Sequence, residues 1–215
     1  YTTATVIAGL HAAAHMAQML GHHAHSERYQ HVADEMKQAL LFHLYDEKEG
    51  RFLKKIVRKD GQTIERDPTP DASITSIWKL GVLPVDDPRV VSTMDALDRL
   101  LTVKTTVGGW ARYTNDSYHF PGSPTAEATG NPWIITTLWK AQWIIARAKT
   151  KQDLVRAKEC IDWVVRSATT TGILAEQLHA YTGEPLSVAP LTWSHATFVE
   201  TVLRFIEVEA TLSKS

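Results

Sequence analysis

Apolar residues recur at intervals of three and four through most of this chain, and that period restricts it to helices packed on helices. From Thr2 to Leu20 the stripe is Val6, Leu10, Ala13, Ala14, Ala17 and Leu20, with Gly21 as a stop. A second stripe follows in Tyr29, Val32, Ala33, Met36, Leu40 and Leu44, with Ser26 placed to cap it. Asp71 or Ser73 is expected to open a short helix ending at Gly81. Asp87 and Pro88 supply a cap and a first turn for the stripe Val90, Val91, Met94, Leu97, Leu100 and Leu101. Three more helices are expected over about 132–149, 151–167 and 191–211. The period breaks once into a strand pattern, Phe52–Val57 and Thr63–Glu65 around Asp60-Gly61, a hairpin turn pair. The expected fold class is therefore all-α, with about seven helices and one short β-hairpin.

Two stretches escape the period. Residues 105–129 are rich in Gly, Pro, Ser and Thr, and a second loop between the last two helices contains Gly172, Gly183 and Pro185. Loops of that length in a compact domain tend to carry function. No linker divides the 215 residues, so a single domain, 1–215, is expected. The chain opens on Tyr1 inside a helical pattern, which suggests a cut through a longer protein and leaves secretion open.

Bulk properties narrow the partners. With 44% hydrophobic residues the chain can bury a sizeable core, and a formal net charge of −1 without a like-charge block gives nucleic acid no purchase. No apolar run approaches the roughly 20 residues that cross a bilayer. A single cysteine, Cys160, fits a reducing, cytoplasmic setting and reads as a buried inert thiol. His11 and His15 lie four apart, and His22, His23 and His25 follow, but no Cys or Glu completes a metal site. No metal or cofactor is expected.

The loops hold residue types suited to sugars, which present apolar ring faces and many hydroxyls to aromatic platforms and forked polar groups. The first loop offers Trp110, Arg112, Tyr113, Asn115, Asp116 and Tyr118, then Asn131 and Trp133. The second offers Glu176, Gln177, Ser187, Trp193 and Ser194. Each has a plainer alternative. Arg112 and Asp116 would serve as a loop brace, Tyr118, Trp110 and Trp133 as core aromatics, and Ser187 as a plain turn serine. Trp193 and Ser194, at a helix start, read better as packing or capping residues.

The order of these residues carries a resemblance. Gly172-Ile173-Leu174-Ala175-Glu176-Gln177, followed by Pro190-Leu191-Thr192-Trp193-Ser194-His195-Ala196, resembles the closing signature of family 15 glycoside hydrolases. Arg112-Tyr113-Thr114-Asn115-Asp116-Ser117-Tyr118 with Gly130-Asn131-Pro132-Trp133 resembles that family's sugar-binding loop. Weaker echoes sit at Asp71-Ala72-Ser73 and at residues 83–89. The resemblance implies an (α/α)6 toroid, present here only in part. It implies Glu176 as the general base and Ser187 as its hydrogen-bond partner. It further implies Arg112 as a ligand of substrate hydroxyls, with Asp116, Tyr118 and Trp133 lining or supporting the pocket. Tyr1-Thr2-Thr3-Ala4 resembles the stretch after the family's Trp-Glu-Glu, which places the general acid upstream of this chain. The expected activity is inverting, exo-acting hydrolysis of α-linked glucose oligosaccharides or disaccharides. Trehalose or dextran hydrolysis, and a non-catalytic carbohydrate-sensing or scaffold role, stand as alternatives. Residues His119–Thr129 depart from the family's sugar loop, which bears on substrate preference.

Overall fold

The computed structural model describes residues 1–214, and its α-helices number seven among them. The chain forms two compact units. One comprises Tyr1–Thr69 with Ser73–Ala96, the other Pro70–Ala72 with Leu97 onward.

In the first unit, α1 (Thr2–Met19) and α2 (His23–Leu44) lie against each other. Their contact is built from small residues, with Ala4, Ile7, Ala14 and Ala17 buried on α1 and Ala33 and Leu40 on α2. Ser26 does not cap α2. The helix starts three residues earlier, at His23, and the Ser26 hydroxyl donates to the Ala14 carbonyl of α1 at 2.9 Å. Strands β1 (Tyr45–Asp46) and β2 (Arg51–Phe52) pair next, followed by the expected hairpin of β3 (Lys55–Lys59) and β4 (Gln62–Asp67). Asp60 and Gly61 between them both have positive φ, 49° and 77°, as a tight turn matched to strand twist requires.

Helix α3 is Ser76–Lys79, entered through a 3-10 turn at Ala72–Thr75, and α4 is Pro88–Leu101. Asp87 caps α4 as its position implies, accepting from the Arg89 N–H at 2.9 Å. The helical stretch through α3 thus opens directly after Asp71, which is itself bridged in extended form to Tyr113.

The second unit is organised on α5 (Ile134–Arg147), buried from Ile134 to Trp139 and again at Ala141, Gln142, Trp143 and Ile145. Helices α6 (Val155–Ser167) and α7 (Thr192–Leu212) flank it. Lys151–Leu154 form a 3-10 turn leading into α6. Its reciprocal cap joins Thr150 and Asp153, each side chain accepting from the other's backbone N–H, at 3.3 and 2.8 Å. The periodicity also misses a sheet. Residues 132 and 133, expected as helix, are extended. Strands β5 (Trp110–Ala111), β6 (Pro132–Trp133), β7 (Gln177–Leu178) and β8 (Pro185–Leu186) form one antiparallel sheet in that order. Two-residue strands are too short to display alternation, so sequence pattern could not announce them.

The last turn of α4 is tied into this unit through Asp98. Its carboxylate accepts from the Trp110 indole at 3.0 Å and from Arg156 at 2.8 Å, and it pairs with Lys140 of α5. Burial pushes this carboxyl up, but Lys140, Trp110 and Arg156 outweigh burial and hold it below the usual carboxylate range. A depressed folded value means that its stabilisation is complete above the unfolded value of about 3.9 and is lost as pH falls through the lower folded one. Asp98→Asn is expected to cost roughly 2–3 kcal/mol at neutral pH, as charged hydrogen bonds do, and to flatten the stability profile below about pH 4. Urea unfolding of both proteins across that range checks this.

Candidate active site

The sheet of two-residue strands holds the two loops together. Trp133 of β6 pairs on one side with Trp110 and on the other with Gln177. The first turn of α5 fixes this arrangement. Thr137 Oγ1 accepts from the Trp110 N–H at 2.9 Å and donates to the Trp133 carbonyl at 2.8 Å, and Thr136 donates to the Trp110 carbonyl at 2.8 Å. Two adjacent threonines at a helix start thus replace ladder bonds that such short strands lack.

Arg112 leaves β5 and meets Asp116 through a two-pronged ion pair. Its Nε and Nη2 each donate to one carboxylate oxygen at 2.9 Å. The same carboxylate accepts from the Tyr118 N–H at 3.1 Å, and Nη2 also reaches the Tyr113 hydroxyl at 3.3 Å. The guanidinium carbon lies 4.5 Å from the Trp133 ring centre, 4.8 Å from that of Tyr113 and 5.1 Å from that of Tyr118. Burial lowers the guanidinium's affinity for its proton, but Asp116 more than restores it and the net shift is upward. Asp116 is 1% exposed. Gly130 packs directly on it, and a β-carbon there would come within 2.8 Å of the Asp116 Cβ. The chain Pro70–Ala72 runs alongside, with the Ala72 N–H donating to the Arg112 carbonyl and Thr114 N–H to the Pro70 carbonyl, at 2.8 and 3.1 Å.

Glu176 sits immediately before β7, partly exposed. Its N–H donates to the Val188 carbonyl at 2.9 Å, and its carbonyl accepts from Ile134, the first residue of α5, at 3.3 Å. The backbone is therefore pinned from both sides, and one otherwise orphaned helix N–H finds its acceptor there. The Glu176 side chain accepts from Gln177 Nε2 at 3.4 Å.

Arg112 thus meets Asp116, Tyr118 and Trp133, and the strand pairing sets the Glu176 backbone beside Trp133. Trp110 is 1% exposed, with its indole N–H on Asp98. Ser187 occupies a left-handed turn, φ 64°, next to the residue that receives the Glu176 N–H, and no hydrogen bond joins it to Glu176 among the described residues. Ser194 is fully buried and donates to the Ala175 carbonyl at 2.8 Å, and Trp193 is half exposed beside Trp139. These are the packing places expected for both. Two of the N-terminal histidines meet amides, His11 with Gln30 and His23 with Gln18, and no group of three metal-binding side chains assembles among the described residues. Burial pushes the Cys160 thiol up to about 11, as an inert core thiol requires. No described helix is long and apolar enough to cross a membrane.

Asn131 and Gln177, among the loop residues suited to sugars, and His195, in the closing signature, were given no role of their own by the sequence. Asn131 and Gln177 are buried and bonded to each other, and His195 Nε2 accepts from the Leu174 N–H just ahead of Glu176. Their only signal was membership of the two motifs.

A helical scaffold whose loops gather an arginine and aromatic faces agrees with the arrangement that the resemblance to family 15 glycoside hydrolases implies. Residues 1–162 and 156–203 match the model of glycosyl hydrolases family 15, and the chain belongs to that family. An uncharacterized glycosyl hydrolase from Methanocaldococcus jannaschii is 31% identical over 209 residues, covering 93% of this chain and 31% of that protein. A glucoamylase from Clostridium sp. is 27% identical over 220 residues, covering 92% and 30% respectively. The crystal structure of a bacterial glucoamylase complexed with acarbose superposes with a TM-score of 0.78 at 24% identity, over 96% of this chain and 33% of that one. That likeness shows the (α/α)6 fold class. The chain spans about three tenths of the length of the curated relatives it matches.

Asp116→Ala would leave the guanidinium and the Tyr118 N–H without their shared acceptor. The expected cost is about 2–3 kcal/mol, read by urea unfolding.

Proposed function

We propose that this chain supplies the sugar-binding face and the general base of an inverting, exo-acting α-glucoside hydrolase that releases glucose from starch-like oligosaccharides. The observation that supports the reading is the pairing of Trp133 with Gln177, which sets the Glu176 backbone next to the strand whose Trp133 ring faces Arg112. The charge of Arg112 is matched by Asp116, and its Nη1 N–H groups have no hydrogen-bond partner among the described residues. Donors whose charge is already balanced suit neutral hydroxyls better than a second anion, which supports a sugar as ligand.

In the proposed reaction Glu176 takes a proton from water as the water oxygen bonds to the anomeric carbon. The glycosidic bond breaks on the opposite face, and a carboxylic acid protonates the departing oxygen. The resemblance of Tyr1–Ala4 to the stretch after Trp-Glu-Glu supports an acid upstream of Tyr1, about 6.5–9.5 Å from Glu176 across the cleft. Both compact units are inferred to belong to one catalytic domain, since the family match runs through both. The inferred substrate preference rests on the glucoamylase relative, and the His119–Thr129 segment is the place where trehalose or dextran preference would be encoded.

Glu176→Gln in the full-length protein is expected to lower kcat by roughly 10²–10⁴-fold, the usual worth of general-base catalysis, with substrate affinity little changed. Maltose, isomaltose and trehalose are the substrates to assay, with the anomer of released glucose followed by NMR. Near-normal turnover on all three would remove Glu176 from the mechanism. The 215-residue chain alone is expected to be inactive, and robust hydrolysis by it would place the acid within the chain.

A further inference from the structure

We propose that Asn131 is a positioning residue for Glu176, acting through the Gln177 amide; the inference rests on the reading of Glu176 as the base. Asn131 is 1% exposed and Gln177 is fully buried, so neither amide has water to exchange partners with. The Asn131 Nδ2 donates to the His119 carbonyl at 3.0 Å and to Gln177 Oε1 at 2.9 Å, with the Tyr118 carbonyl more distant at 3.4 Å. Its Oδ1 accepts from the Ala180 N–H at 3.1 Å.

The polarity of this chain of bonds is set by backbone groups. An amide side chain can be turned end for end, but a peptide N–H only donates and a peptide carbonyl only accepts. Ala180 therefore fixes Oδ1, and His119 fixes Nδ2. The remaining Nδ2 hydrogen requires an acceptor, so Gln177 must present Oε1 to Asn131. Its Nε2 is then directed to Glu176 Oε2, at 3.4 Å. Reversal at either amide would turn a carbonyl oxygen toward the Glu176 carboxylate and repel it. With Oε2 held by a donor, Oε1 is the oxygen left to orient water. The His119 carbonyl lies at the start of the segment that departs from the family's sugar loop, so the segment also contributes a polarity-setting acceptor.

The test is a double-mutant cycle in the full-length protein. Gln177→Met keeps the side-chain length and removes both amide ends. It should lower kcat about tenfold, the worth of one hydrogen bond at the barrier, and leave KM within about twofold. Asn131→Asp keeps the shape but loses the donor and should produce a similar fall. In the Gln177→Met background the Asn131 substitution should lower kcat no further than about twofold, since its route to Glu176 is already cut. A purely structural Asn131 would instead give additive losses, accompanied by a raised KM and lower thermal stability. Additive losses, or a Gln177→Met enzyme with unchanged kcat, would overturn the inference. If Asn131→Asp does not accumulate as folded protein, the neutral Asn131→Ser takes its place in the cycle under the same criteria. Loss of turnover in Glu176→Gln alongside either overturning result leaves the base assignment standing, whereas normal turnover in Glu176→Gln removes the base assignment itself.

Discussion

The antiparallel pairing of Trp133 with Gln177 is the constraint on which the site depends. It joins residues 44 positions apart in the chain and is a single register pair between strands of two residues. Such a ladder has too few hydrogen bonds to be stable alone. It persists because each end is tied to a helix. Thr136 and Thr137 hold β5 and β6 from the first turn of α5, and the Glu176 carbonyl accepts the first N–H of that helix. The buried length of α5 therefore holds the two loops together, and the hydrophobic packing that stabilises the helix also anchors the Glu176 backbone.

The two loops divide the chemistry by polarity. The first supplies donors and ring faces, through Arg112, Tyr113, Tyr118 and Trp133, and the second supplies a partly exposed acceptor, Glu176. Asp116 keeps the cation and the acceptor distinct. It binds both prongs of Arg112, so the charge of that guanidinium is balanced within the first loop. Asp116 is itself held in place by burial beneath Gly130, where any larger residue would meet its β-carbon.

Much of this was legible in the sequence, and the parts that were not share a cause. The helices appeared because their buried faces repeat over many turns, as in Val90, Met94, Leu97 and Leu101 of α4. The Asp60-Gly61 hairpin appeared because its turn demands two left-handed residues. Arg112, Asp116, Tyr118, Trp133 and Glu176 were legible through motif order. Ser26 was misplaced as a cap because its hydroxyl is used by another helix, at Ala14, a tertiary contact that local rules cannot contain. The site sheet went unseen because each strand has only two residues, too few to have a period.

Asn131 shows where motif reading ends and geometry begins. As a letter in Gly-Asn-Pro-Trp it is one more polar residue before a helix. In the fold it is the only described side chain bonded at once to the first loop at His119, to the second at Ala180, and to the neighbour of Glu176. Its length matters as well as its polarity. Asp has no hydrogen to donate to His119 and Gln177, and Gln is one methylene too long for a fully packed position. Burial turns these small differences into a directional requirement, because an unsatisfied amide or carbonyl there has no water to fall back on. On the proposed reading, the orientation of the partly exposed Glu176 carboxylate is set by two peptide groups, the His119 carbonyl and the Ala180 N–H.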